Sequence, residues 1–156
     1  MKNKSFILSL VLLFSIHSYS QKFLLGSRIT PNTNQFKLLD FSPSTGIYTY
    51  QYIGVLKEKY LFNHKIGEIT VGLKKGLVVT RVYFLIPKKG ENDISESTVK
   101  LIENSLSIPL VRLPHNKFAV NVGNTLISLD VGNNSFTFDK YRMIYLTTVK
   151  YSILMP

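Results

Sequence analysis

The chain has 156 residues, of which 45% are hydrophobic and 18% are charged, with a formal net charge of +10 and no cysteine. An intrinsically disordered chain is excluded, because this composition can bury enough apolar surface to fold. A disulfide framework, a thiolate zinc site, a catalytic thiol and a lipid-modified N-terminal cysteine all need a residue that the sequence lacks. A chain of this length is expected to form one domain that is stabilised by its core.

The first twenty residues have the pattern of a secretory signal peptide. Lys2 and Lys4 precede an apolar run, Phe6–Ile16, and small residues follow the run before position 21. The 11 residues of this run fall well short of the roughly 20 that a membrane-spanning helix needs. We therefore predict a signal peptide over residues 1–20 and a single domain over residues 21–156, with an uncleaved N-terminal anchor as the alternative.

Cleavage after Ser20 would remove 20 of the 156 residues and leave 136, with a net charge of +8 because the signal carries two lysines and no acid. An exported chain without cysteine suits a bacterial envelope or an extracellular setting, where its folding does not depend on oxidation. In its signal and its composition rich in Asn, Lys and Ile, the chain resembles exported proteins of Gram-negative bacteria. The expected location is periplasmic or extracellular, and no transmembrane segment is expected after signal cleavage.

Strands are expected to dominate the exported chain. Alanine occurs once, at Ala119, whereas Tyr, Phe, Val, Ile and Thr are plentiful, and this composition favours strands over helices. Thr30 and Pro31 are compatible with the start of a second, short N-terminal helix. After a turn at residues 43–46, the run Ile47–Ile53 alternates with the two-residue period of a strand.

Hairpin signals recur through the rest of the chain. Residues 66–73 and 77–86 have strand patterns, and the segment 74–76 between them supplies the glycine that a three-residue hairpin loop needs. Turn residues also separate the strands of a C-terminal meander, which we predict at residues 117–122, 125–131, 135–138 and 142–154. Turns at this spacing are typical of antiparallel sheets.

One helix is predicted between the hairpin and the meander. Asp93 or Ser95 can cap this helix, and Asp93 with Glu96 has the form of a capping box. Its apolar residues, which fall roughly on one side, are Ile94, Val99, Leu101, Ile102 and Leu106. The predicted fold class is therefore α+β, with a mainly antiparallel, meander-rich sheet and one helix packed on one of its faces.

Histidines and acidic residues form no recognisable metal or catalytic motif. The predicted mature chain keeps only His64 and His115, which are 51 residues apart. His64 and Glu68 have the i,i+4 spacing of a helical pair, but the strand pattern around them argues against adjacency. We interpret both histidines as surface or turn residues. Glu91, Asp93 and Glu96 form an acidic cluster. The favourable interaction of negative charge with the dipole at a helix start explains this cluster better than an ion site does.

Motifs for nucleophiles and cofactors are missing as well. The sequence contains no G-x-S-x-G elbow, no Walker loop and no G-x-G-x-x-G, the patterns that mark serine hydrolases and nucleotide sites. We therefore predict no catalytic residue, no metal and no cofactor. A hydrolase with a dispersed active site stays open, because distant serine, histidine and carboxylate groups can meet in a folded chain.

The excess of positive charge predicts weak, nonspecific attraction to anionic surfaces. The pairs Lys74-Lys75 and Lys88-Lys89 lie at opposite ends of the strand predicted at 77–86, which separates them by about 30 Å. They cannot form one phosphate site. Specific binding of nucleic acid is not expected, since the sequence has neither a basic helix nor the aromatic motif of an RNA-binding sheet.

Three tyrosines alternate along the strand predicted at 47–53 and share one of its faces. In the strand predicted at 77–86, apolar residues expected to face the core are Val78, Val82, Phe84 and Ile86. Arg81 and Tyr83 are then expected on the opposite face, where large side chains can bind a partner. The candidate partner-binding residues are Tyr48, Tyr50, Tyr52, Arg81 and Tyr83. Cross-strand packing or cover by the helix is the structural alternative.

These observations favour a small exported protein that acts by binding, without catalysis, to an unknown protein or to an envelope component. A secreted hydrolase with a dispersed active site is the second hypothesis. A purely structural envelope protein is the third, and self-association without another ligand would distinguish it.

Overall fold

In a computed structural model, residues 23–56 and 59–140 are described. The strands are β1 (Phe36–Ser42), β2 (Ile47–Tyr52), β3 (Tyr60–Leu61), β4 (His64–Lys74), β5 (Leu77–Ile86), β6 (Val111–Leu113), β7 (Lys117–Val122), β8 (Thr125–Asp130) and β9 (Ser135–Asp139). The helix α1 (Glu96–Leu106) lies between β5 and β6. The predicted signal peptide and the strand predicted at 142–154 fall outside the described residues.

All nine strands belong to one sheet. Its order is β1-β2-β4-β5-β9-β8-β7-β6, and β3 pairs with the start of β4. Every neighbouring pair is antiparallel. Together with α1, the only α-helix in the described part of the chain, this sheet confirms the predicted α+β class.

The predicted hairpins form, but the N-terminal helix does not. The strands predicted around β2, β4, β5, β7, β8 and β9 are all present. At Asn32, the carbonyl oxygen accepts hydrogen bonds from the backbone N–H groups of Gln35 and Phe36, so the segment after Thr30 makes a turn and leads directly into β1. Asn32 and the two residues after it are weak helix formers, which is why Pro31 starts no helix.

The connection between β4 and β5 is tighter than the sequence pattern predicts. Only two residues, Lys75 and Gly76, lie between the strands, and both have positive φ angles, of 52° and 76°. Two central residues with positive φ are typical of the hairpin turns whose twist matches that of the flanking strands. Gly76 takes this conformation at no steric cost.

Helix α1 begins two residues later than a capping box of Asp93 and Glu96 would require, and its N-cap is the other predicted candidate, Ser95. Ser95 is the N-cap residue and makes no side-chain capping hydrogen bond, so Glu96 is the first helical residue and the predicted pairing of Asp93 with Glu96 is wrong. The helix ends at Leu106, and the C-cap residue Ser107 has a left-handed φ of 53°. Its buried residues are Thr98, Val99, Ile102 and Leu106.

The core lies between α1 and one face of the sheet. Residues buried on this face come from the central strands and include Ile69, Val71, Ile127, Leu129, Phe136 and Phe138. Phe23, from the segment before β1, joins the same cluster. Because α1 is short and the sheet is eight strands wide along its main path, the core face at the outer strands β1 and β2 stays partly exposed.

Candidate binding surface on strands β1 and β2

The three tyrosines of β2 share one face, as the alternation predicts. Tyr48 lies opposite Leu73 of β4, and Tyr50 lies opposite Val71. This is the core face of the sheet. The exposed fraction of the tyrosines increases toward the start of β2: Tyr52 is 6% exposed, Tyr50 is half-buried and Tyr48 is 42% exposed. The tyrosines therefore lead from the core to the surface.

Arg81 and Tyr83 lie on the same face but in the core, so the prediction that they line an exposed face is wrong. Leu73 pairs with Val78 and Gly72 pairs with Thr80, which leaves one extra residue in β5 as a β-bulge. A bulge reverses the faces of all residues beyond it. Arg81 is 1% exposed and Tyr83 is 3% exposed. Of the residues predicted as core, Val78 precedes the bulge and is buried as expected. The other three lie on the opposite face, where Phe84 and Ile86 are exposed and Val82 is half-buried.

The guanidinium of Arg81 is part of the core packing. Its Nη1 donates a hydrogen bond to the carbonyl oxygen of Phe23, at 3.1 Å. Its Cζ lies 4.4 Å from the ring centroid of Phe138 and 5.2 Å from that of Tyr83. A cation held between ring faces and a carbonyl oxygen anchors the N-terminal segment to the sheet, which is a structural role.

Strand β1 supplies residues that the sequence reasoning missed. Leu38 lies opposite Tyr50, and Phe41 lies opposite Tyr48. A bulge at Leu39 interrupts the pairing between them, so the apolar residues of β1 do not alternate regularly and the segment lacks a strand signature. The turn at residues 43–46 was the available signal, since folding back across it places Phe41 beside Tyr48.

These side chains form a continuous surface, which we call the aromatic patch. It consists of Leu38, Phe41, Tyr48 and Tyr50. The rings of Phe41 and Tyr48 stack with centroids 4.3 Å apart and an interplanar angle of 27°. Tyr48 and Tyr50 are also near parallel, with centroids 6.5 Å apart and an angle of 28°. At its inner end the patch meets Phe36, whose ring lies edge-on to that of Tyr50.

The stacking determines which chemistry the aromatic patch can offer. Because neighbouring rings cover one another's faces, a partner meets mainly ring edges, the leucine side chain and phenolic hydroxyls. Such a surface combines apolar area with directional hydrogen bonds and loses little side-chain entropy on binding. Its polar groups are the phenolic hydroxyls of Tyr48 and Tyr50.

Strand β1 also lies at the edge of the sheet, where its outer side pairs with no other strand in the described residues. The bulge at Leu39 and the exposed charges of Lys37 and Asp40 are features that discourage edge-to-edge pairing. The side-chain face of β1 is thus better suited to a contact than its backbone edge.

His64 is buried, so its interpretation as a surface or turn residue is wrong. It is the first residue of β4, is 2% exposed, and its Nε2 shares a hydrogen bond of 2.8 Å with Thr98 Oγ1 of α1. Burial lowers the pKa of His64, and Lys88 lowers it further, against opposing effects from the backbone of Ile86 and from Glu91. His115 is exposed in a turn, as predicted, with a φ of 60°.

Candidate metal ligands do not cluster in residues 23–56 and 59–140. No three His, Asp or Glu side chains in these ranges come together as ion ligands. The buried histidine is held by a threonine of the helix, and no hydrogen bond joins it to a carboxylate there. None of the helices in the described residues has the length and apolarity needed to cross a membrane.

The fold and its surface define a small antiparallel α+β protein with a candidate binding surface at one edge of the sheet. In comparisons with known proteins, the chain has no significant match to any protein-family model, curated protein or solved structure.

Proposed function

We propose that the chain is a small exported protein that acts by binding, without catalysis, and that the aromatic patch is its contact surface for a protein partner. The signal-peptide pattern at residues 1–20 supports export to the periplasm or the extracellular space. Under this proposal, the protein recognises its partner in the bacterial envelope or in the extracellular space.

The observation that carries the proposal is the exposure of preorganised apolar side chains at the sheet edge. Leu38, Phe41 and Tyr48 are 53%, 41% and 42% exposed, although they continue the core face of the sheet. Exposed apolar patches on soluble proteins commonly mark interaction sites. Stacked rings that are fixed before binding are the type of side chain that dominates the binding energy of interfaces.

The alternative functions have weaker support. A secreted hydrolase would need a base beside a nucleophile and an orienting acid, and His64, the buried candidate base, is engaged by Thr98. A structural envelope protein would use the same aromatic patch to bind further copies of itself. Self-association therefore serves as an outcome of the test below.

The test compares a patch variant with a matched control during capture from the native envelope. The patch variant is Phe41→Ala/Tyr48→Ala, and the control is Tyr60→Ala, which removes an aromatic ring that is 63% exposed on β3. A partner captured by the unmodified protein is purified, and its affinity for each variant is measured. We expect the patch variant to bind about 30-fold more weakly, a loss of about 2 kcal/mol, which is the threshold for a single interface hot spot.

Equal affinity of the patch and control variants, with the fold intact by circular dichroism, would contradict the aromatic patch as the contact surface. Concentration-dependent self-association that Phe41→Ala/Tyr48→Ala abolishes, without a captured partner, would replace the proposal with the structural alternative. Turnover of an ester, peptide or glycoside substrate that requires His64 would favour the hydrolase.

A further inference from the structure

A second surface lies at the end of the sheet that carries the β4–β5 turn. Before β1, residues 26–29 run beside the start of β5: the N–H of Gly26 donates to the carbonyl of Val78, at 2.7 Å, and the N–H of Ile29 donates to that of Gly76, at 2.9 Å. This pairing brings Arg28 to the turn, where its Nη1 donates to the carbonyl oxygen of Lys75, at 3.3 Å.

Lys140 reaches the same place from the other end of the chain. Its backbone N–H donates to the carbonyl of Val79, at 2.9 Å, just after β9 ends. Its Nζ lies 3.0 Å from the position that a Cβ would take on Gly26. Arg28, Lys75 and Lys140, three exposed cations from three separate segments, thus gather at one end of the sheet, which we call the basic end.

Little negative charge balances the basic end. Of the acids in the described residues, those nearest in the sheet register are Asp40, on the edge strand, and Asp139, which is 4% exposed. The others lie toward the opposite end of the sheet or on α1, and are Glu68, Glu91, Asp93, Glu96, Glu103 and Asp130. The exposed groups of the basic end are therefore predominantly cationic.

Apolar side chains accompany these cations. Leu77 directly follows the turn and is 37% exposed. The aromatic patch opens at the same end, because Tyr48 pairs with Leu73 shortly before the turn. Long cationic side chains beside exposed aliphatic and aromatic groups are the combination that associates with the headgroup region of a bilayer.

We propose that the basic end binds the surface of an anionic phospholipid bilayer through Arg28, Lys75 and Lys140, with Leu77 entering the headgroup region. The cations extend from three segments around an exposed leucine instead of converging on a cavity, so they match many phosphates in a plane better than one bound phosphate. This binding is separate from the partner contact proposed for the aromatic patch, and it does not depend on it.

The test measures cosedimentation of the full chain with vesicles. The vesicles are either pure phosphatidylcholine or an equimolar mixture of phosphatidylcholine and phosphatidylglycerol. The test variant Arg28→Gln/Lys75→Gln/Lys140→Gln removes the three positive charges of the basic end. The control variant Lys88→Gln/Lys89→Gln/Lys100→Gln removes three positive charges from exposed positions elsewhere. All chains share the N-terminal apolar run, so its contribution cancels in the comparison.

We expect the basic-end variant to bind phosphatidylglycerol vesicles about 100-fold more weakly, since each cation near an anionic surface contributes about a fivefold gain. The control variant should lose far less, and the charge-conserving Arg28→Lys/Lys75→Arg/Lys140→Arg should bind like the unmodified chain. Thermal unfolding and circular dichroism establish that each variant is folded.

Equal loss in both glutamine variants would overturn the proposal, because net charge alone would then explain the binding. Equal binding to both vesicle types would overturn it as well. Displacement by millimolar inorganic phosphate would indicate a discrete anion site in place of a bilayer surface. Failure of this test leaves the aromatic patch untouched, since Phe41→Ala/Tyr48→Ala probes that surface on a captured protein.

Discussion

At the scale of single residues, burial decides what a side chain can do. Arg81 and Tyr50 are both candidate contact residues by sequence, but Arg81 supports the core through Phe23 and Phe138. Its replacement by alanine would report on folding, because a buried cation with its packing and hydrogen bond is lost. Tests of binding belong on Phe41 and Tyr48, whose rings reach the solvent.

His64 makes the stability of the protein depend on pH. Since burial lowers its pKa below the ordinary 6.5, the unfolded chain binds a proton more readily than the folded chain does. Its contribution to stability is therefore present above pH 6.5 and is lost as the pH falls through the folded pKa. We expect the free energy of unfolding, measured with denaturant, to decline across this window in the unmodified protein.

Two histidine substitutions test whether His64 causes this pH dependence, one at His64 itself and one, as the control, at His115. His64→Gln should flatten the decline below pH 6.5, whereas His115→Gln, at an exposed turn position, should leave it in place. An unchanged profile in His64→Gln would show that other groups cause the decline. Lys88 and Glu91, the charged groups that act on His64, should be checked with Lys88→Gln and Glu91→Gln.

At the scale of elements, local patterns predicted six of the nine strands in the described residues, but bulges made the predicted face wrong in β5 and concealed β1. The alternation of β2 and the turn before β5 depend on neighbouring residues only. The extra residue in β5 is defined by its partner β4, so the alternation after Val78 predicted the wrong face. The bulge at Leu39 interrupts the two-residue period of β1, so the sequence pattern did not predict this strand.

The β8–β9 turn depends on one carboxylate. Asp130 accepts hydrogen bonds from the backbone N–H and the Nδ2 of Asn133, and it pairs with Lys117 Nζ at 2.9 Å. Burial alone would raise the pKa of Asp130, but the hydrogen bonds from Lys117 and Asn133 outweigh it and lower the pKa below 3.8. Its contribution is thus present above pH 3.8 and is lost as the pH falls through the folded pKa.

We expect Asp130→Asn to destabilise the protein by about 1 kcal/mol at pH 7, a modest value because the Lys117 side chain is half-exposed. The difference from the unmodified protein should shrink as the pH falls below 3.8, and denaturant unfolding at both pH values measures it. Asp40→Asn, an exposed acid on β1, is the control. If Asp130→Asn lowers the free energy of unfolding by the same amount in acid, the charge of Asp130 does not cause the loss, and the geometry of the turn does.

At the scale of the whole molecule, two surfaces with different chemistry open near the same end of the sheet. The aromatic patch offers ring edges and hydroxyls to a protein, and the basic end offers cations to a phospholipid surface. Simultaneous use of both would hold a partner close to a bilayer. This arrangement would suit a protein that acts at an envelope, which is the setting that the signal-peptide pattern predicts.

Export predicts a defined mature chain. In a Gram-negative host, the protein recovered from the periplasm or medium should begin at Gln21, because cleavage after Ser20 fits the pattern of a signal peptide. Mass spectrometry of the intact protein measures the N-terminus. Replacing Leu10 with Arg in the apolar run should keep the protein in the cytoplasm. Recovery of a full-length chain in the membrane fraction would favour the uncleaved anchor.

The sequence by itself determined the α+β class, most of the strands and the existence of one helix, because periodicity, turn residues and capping act over a few neighbouring positions. Tertiary structure alone decided which faces are buried, since the bulges in β1 and β5 are defined by the register with the partner strands β2 and β4. It also decided which cations lie together: Arg28 and Lys140 lie near Lys75, whereas Lys88 and Lys89 are at the opposite end of β5. Contacts between residues far apart in the chain depend on strand order, which no local pattern records.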